Sequence, residues 1–246
     1  MSVLADERTR SDGLVALAVV GFIFSAVVIA IGALLLLEVV ARHSFKTTDE
    51  YENVRALIVR SGAGNVSLSS TDAGGPVVVQ AARTESLFTP KLQARLASDG
   101  TLTLSASCSG NLECGVHYVL SVPRDTAVTV SSGFGDVTSD DLASTSMVRI
   151  DTTAGDIHVS RLSAPVIRLS TGLGGLSATL GQPARSLTAS TVAGGIELTV
   201  PDTTYALHAS SGVGKVSDRA VRIDPHSPRS IDATSSLGDV TIIPGP

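Results

Sequence analysis

The chain has no tryptophan, and aromatic residues make up only 3% of its 246 positions. A folded core must therefore be assembled from Val, Ile, Leu, Ala and the methyl groups of Thr. Such a core is thin. Two cysteines are too few for a disulfide scaffold or a four-cysteine zinc site. The segment G-x-S-x-G is missing, which excludes a hydrolase nucleophile elbow. There is no basic stripe and no aromatic residue set among basic ones, so nucleic-acid binding has no support. Beyond residue 42 the chain carries 15 Lys and Arg against 19 Asp and Glu, a mildly acidic balance. With 43% hydrophobic and 17% charged residues, the chain still has what a packed core needs.

Long apolar runs are also scarce, with one exception. Leu14 to Leu37 reads LVALAVVGFIFSAVVIAIGALLLL, in which Ser25 is the only clearly polar side chain. About 20 apolar residues cross the hydrocarbon layer, whereas the core of a cleaved signal is roughly 7–15 residues long. A retained anchor is expected over residues 14–40, after a short cytoplasmic tail (1–13) and before a linker (41–52), with a cleaved signal peptide as the alternative. The flanking charges do not agree on orientation. Arg8 and Arg10 precede the segment, while Arg42, Lys46, Arg55 and Arg60 follow it, and that count favours the large domain inside. The short tail, the two cysteines and a Ser/Thr/Gly-rich domain poor in Lys favour it outside. The expectation is a single-pass plasma-membrane protein with an extracytoplasmic domain.

Beyond the linker the sequence repeats. SGAGNV at 61, SGFGDV at 132, TTAGDI at 152, TGLGGL at 171, TVAGGI at 191, SGVGKV at 211 and SSLGDV at 235 share one rule: Ser/Thr, any residue, apolar, Gly, small or polar, aliphatic. After Gly64, the glycines Gly135, Gly155, Gly174, Gly194, Gly214 and Gly238 recur at about 20 residues, the mark of stacked units rather than one site. Val148, Ile150, Thr152 and Ala154 alternate in one phase, and Ile157 and Val159 in the other. Strand side chains alternate with period 2, so inward pointing continues across that slip only if Gly155-Asp156 turns the chain. The glycine is thus expected at a corner between two short strands. Pro165, Pro183 and Pro201 mark second corners, where a missing N–H harms no ladder. The predicted fold is all-β, a β-solenoid or repetitive sheet stack of ~20-residue rungs over residues 53–243, regular from 123 onward.

Other readings of the repeat are weaker. A dinucleotide loop needs a third glycine where Thr138 stands, and a helix after it. Calcium needs six to eight oxygens, yet Gly175, Gly195 and Lys215 replace Asp136 and Asp156 in later units. Cys108 and Cys114 lie between two strand-like segments and are expected to close a hairpin loop as a disulfide, with two free thiols in a cytoplasmic domain as the alternative. LQARLAS, DGT and LTLSAS predict another hairpin. His117, His158 and His208 form no triad pattern. Pro244 and Pro246 follow the last aliphatic strand and read as blockers of further pairing.

The run VHYVLSVPRDTAVTVSSGFGDVTSDDLASTSMVRIDTTAGDIHV resembles the bacterial "putative adhesin" β-strand-repeat family, in which a strand and a V-P break precede repeated G-D-I/V corners. The resemblance spans roughly residues 50–243. It implies a toast-rack-like fold of unknown function, commonly exported or membrane-attached, with some relatives linked to envelope-stress systems. It brings no catalytic residue, cofactor or metal. The expected function is a non-enzymatic module, anchored by its single helix, that presents a surface to a protein or envelope polymer. The alternatives are a polysaccharide-acting enzyme using Asp136, Asp156 and Arg149, and a membrane-tethered self-assembling scaffold.

Overall fold

The computed structural model describes residues 44–84, 91–107, 115–218 and 221–245. The apolar segment 14–37 and both cysteines lie outside these residues. Among the described residues, no helix is long and apolar enough to cross a membrane.

The described residues form twenty strands. β1 (Ser44–Tyr51) leads to β2 (Ala56–Ala63) and β3 (Val66–Thr71), then β4 (Val77–Thr84), β5 (Lys91–Leu96), β6 (Thr101–Ser107) and β7 (Val116–Pro123). The regular units are β8 (Ala127–Phe134) with β9 (Val137–Asp141), β10 (Met147–Ala154) with β11 (Ile157–Leu162), β12 (Val166–Leu173) with β13 (Leu176–Leu180), and β14 (Ser186–Ala193) with β15 (Ile196–Val200). β16 (Thr204–Val213), β17 (Val216–Ser217), β18 (Arg222–Ile223), β19 (Ser230–Leu237) and β20 (Val240–Pro244) complete the chain. Residues 44–51, expected within the linker, form β1.

Each unit is one rung, a long strand that bends at its glycine into a shorter strand of the facing sheet. The long arms of the rungs lie in one sheet, of order β18-β16-β19-β14-β12-β10-β8-β2-β6-β5, and the short arms in the other, β1-β4-β7-β3-β9-β11-β13-β15-β20-β17. From β8 to β15 the chain winds as a solenoid with parallel, in-register neighbours, Ile150 beside Leu169 and Leu169 beside Ala189. The inner faces meet in a core of stacked aliphatic columns, such as Val130, Ile150 and Leu169 against Val137, Ile157 and Leu176, all almost fully buried. Each large aliphatic side chain buried there contributes about 1.5–3 kcal/mol. Ser, Thr and Arg of the opposite parity face out.

The winding is interrupted at both ends of the stack. β2 and β3 insert between the β6–β7 and β8–β9 rungs. β19 and β20, last in sequence, insert between the β14–β15 rung and the β16–β17 rung. β17 covers the other side of β20 only at Val240 and Thr241. Pro244 ends β20 beside Val200, and the outermost strands at that end of the stack are β17 and β18.

The hairpin predicted around Asp99-Gly100 is present as antiparallel β5–β6, with Asp99 Oδ1 accepting the Thr101 N–H at 2.9 Å. The second predicted hairpin is absent. β6 and β7, which flank the cysteine segment, belong to different sheets, so they form the two arms of a rung. β4, β5 and β1 run antiparallel to their neighbours and close the other end of the stack.

Candidate functional site

The seven repeat glycines form one column along the edge where the two sheets join. Gly64, Gly135, Gly155, Gly174, Gly194, Gly214 and Gly238 all have positive φ, between 111° and 155°. Conformation is only half of the requirement. A Cβ on Gly155 would overlap the carbonyl oxygen of Gly135, and one on Gly174 would overlap that of Gly155. The same crowding repeats along the column, so each glycine is needed for its bend and for the rung beneath it.

In four of the seven copies the opening Ser/Thr answers to a glycine carbonyl of the neighbouring rung. Thr171 Oγ1 donates to Gly155 O at 2.9 Å, Thr191 Oγ1 to Gly174 O at 3.1 Å, and Ser235 Oγ to Gly194 O at 3.0 Å. These hydroxyls are buried, where an unpaired oxygen would be costly. Ser132 and Thr152 hold the same position without a hydrogen-bond partner among the described residues.

After four of the seven glycines a polar side chain ties one rung to the next. His117 Nδ1 accepts from Asn65 N at 3.4 Å, Asn65 Oδ1 from Asp136 N at 3.0 Å, Asp136 Oδ1 from Asp156 N at 2.9 Å, and Asp156 Oδ1 from Gly175 N at 2.7 Å. The ladder then stops, because Gly175 and Gly195 have no side chain. It resumes where Asp239 Oδ1 accepts from Lys215 N at 2.8 Å. The amides of Gly195 and Asp239 have no partner among the described residues. Above this gap lies a shallow groove of about 630 Å³, lined by Asp156, His158, Gly175, Gly195, Glu197 and Asp239 among others.

These contacts reassign the carboxylates considered for chemistry. Asp136 and Asp156 hold backbone amides. Arg149, on the outer face of the long-strand sheet, donates to Asp151 at 2.6 Å, and that hydrogen bond holds its guanidinium even more firmly protonated than usual. His117, His158 and His208 are exposed and lie on separate strands. No cluster of three or more metal-ligating side chains occurs among the described residues. A second hollow, of about 530 Å³, sits by the β5–β6 turn and is lined by Glu52, Arg55, Asp99 and Asp125 among others.

The third position of the repeat departs from expectation. Its apolar residue shares the inward parity of its strand, yet the bend turns it out to solvent. Phe134 is 64% exposed, Leu173 60%, Leu237 54% and Val213 68%. With Ala63, Ala154 and Ala193 they are in register from rung to rung, forming an apolar ridge beside the glycine column. The sequence carried this signal as an apolar preference in all seven copies. The alternation rule, followed by itself, read it as core.

The family described as Toastrack DUF4097 matches residues 44–243. Among solved structures, one from Clostridium sporogenes described as "a putative cell adhesion protein" is 13% identical with a TM-score of 0.51, covering 82% of this chain and 100% of that one. A Bacteroides fragilis structure described as "a putative adhesin" is 13% identical with a TM-score of 0.46, covering 82% and 98%. No curated protein matches the chain.

Proposed function

This chain belongs to the Toastrack DUF4097 family, and on that premise we propose that it is a non-enzymatic surface module, anchored at the plasma membrane by residues 14–40 with its β-stack outside the cytoplasm. The observation that carries the reading is the division of labour at the corner. The glycines, hydroxyls and carboxylates of the repeat are spent on holding rungs together, while an apolar ridge remains exposed along the stack. Isolated exposed apolar residues are ordinary, but a contiguous row marks an interaction surface. The description of the Clostridium sporogenes structure as "a putative cell adhesion protein" is in keeping with a binding role. The stack binds a protein or an envelope polymer, needs no cofactor and contacts no nucleic acid.

The test is thiol accessibility in intact cells that make the full chain. A membrane-impermeant thiol reagent is expected to label Cys108 and Cys114 only after prior reduction, as an external disulfide requires. Labelling only after lysis, with no reductant needed, would place the domain in the cytoplasm and overturn the reading.

A further inference from the structure

The ridge has a pattern of its own. In spatial order along the stack its residues are Ala63, Phe134, Ala154, Leu173, Ala193, Leu237 and Val213. Small and large alternate over the first six rungs; half-buried Ala154 and Ala193 each form a socket between two projecting side chains, and half-buried Ala63 lies beside Phe134 at the end of the row. Like side chains recur every second rung, about 9.6 Å apart at the ~4.8 Å spacing of neighbouring strands. Alternating large and small residues let facing layers interdigitate.

We propose that this ridge pairs with the same ridge of a second copy of the chain, side by side and antiparallel. The proposal goes beyond the binding role above, which names no partner. In the two-fold arrangement Phe134 of each copy enters the Ala193 socket of the other, Leu173 enters the Ala154 socket, and Leu237 meets Ala63. Such a contact is isologous and closes on itself.

Charge selects the same register. The ladder residues beside the ridge then meet as Asp136 with Gly195, Asp156 with Gly175, and Asp239 with Asn65, so no carboxylate faces another. Sliding one copy by two rungs restores large against small but sets Asp136 against Asp156 in one direction and Asp156 against Asp239 in the other. Like charges placed together select against such pairings. The gap in the ladder falls where the pairing uses it. Gly195 and Asp239, whose amides are unpartnered among the described residues, lie opposite the acceptor side chains of Asp136 and Asn65.

The contact is small. Seven rungs give a ridge about 30 Å long, and a width of ~10 Å, the separation of packed sheets, means about 600 Å² buried in total, below the ~1,200 Å² of stable interfaces. The pairing is therefore weak, favoured where copies are held at high effective concentration, and a covalent trap is the suitable probe.

The experiment places p-benzoylphenylalanine at position 134 of the full chain in detergent micelles, and separately at position 237, and irradiates. The expected result is a cross-linked dimer in which position 134 maps to the segment around Ala193 of the second copy and position 237 to the segment around Ala63. Leu173→Asp, at a site 60% exposed, should reduce the cross-linked dimer at least tenfold while leaving the far-UV spectrum and Tm unchanged. Absence of a dimer, a cross-link joining position 134 to position 134, or cross-links only to detergent, lipid or other proteins would each overturn the pairing.

Discussion

Asp239 accepts a 2.8 Å hydrogen bond from the backbone N–H of Lys215, a residue 24 positions earlier in the chain. The last unit in sequence is thus the inner neighbour of the unit that precedes it, and the β16–β17 rung lies outside it, with β18 beyond β16. Interior and terminal rungs cannot be assigned by counting repeats.

That inversion can be tested at two adjacent residues. Ile242 is 1% exposed in β20, while Ile243 is 40% exposed. Ile242→Ala is expected to cost about 2–4 kcal/mol and Ile243→Ala less than about 0.5 kcal/mol, measured by urea unfolding of the two variants side by side. Equal small losses would place β20 at a frayed end.

The glycine column predicts steep intolerance. Gly155 has φ 146° and lies against the Gly135 carbonyl, so Gly155→Val is expected to destabilise by a few kcal/mol. Thermal melts of the variant against wild type check this, and an unchanged Tm would remove the crowding argument.

Asp156 separates a structural acceptor from a required charge. Asp156→Asn keeps an oxygen for the Gly175 N–H and should change stability by less than about 0.5 kcal/mol. Asp156→Ala removes the acceptor and should cost about 1 kcal/mol. A large loss in the Asn variant would show that the carboxylate charge itself matters.

Tyr205 gives the alkaline limit. Burial raises its hydroxyl above the usual tyrosine value; nearby Arg229 opposes the rise and Asp202 adds to it. The hydroxyl donates to the Pro201 carbonyl at 3.1 Å. A folded pKa above the unfolded one gives stability that is fully present below pH ~10 and is lost as pH rises through the folded value. Chemical unfolding from pH 8 to 11 should show that loss in wild type, and Tyr205→Phe should flatten the tyrosine contribution.

Much of the fold was legible because its cause is local. The phase slip between Ala154 and Ile157 requires a turn at Gly155, and the Asp99-Gly100 hairpin carries its own turn chemistry. The exposure of Phe134 was not legible, since alternation gives a side chain's phase within a strand but not where the strand bends away from the core. Nor was the role of His117 as the first acceptor of the ladder, which depends on Asn65 lying above it, 52 residues away in sequence.

What the sequence determined by itself was the unit: its length, its two strands, its corner and the residues that line its inner face, all set by side-chain period and by the backbone freedom of glycine. What only the tertiary structure decided was which unit lies beside which, and so which residues end the stack. Strands pair through backbone groups that every rung shares, and in-register aliphatic columns fit almost any neighbour. Neighbour identity was therefore set at the ends of the chain, where β2–β3 and β19–β20 insert between other rungs and where the antiparallel strands β1, β4 and β5 close one end of the stack.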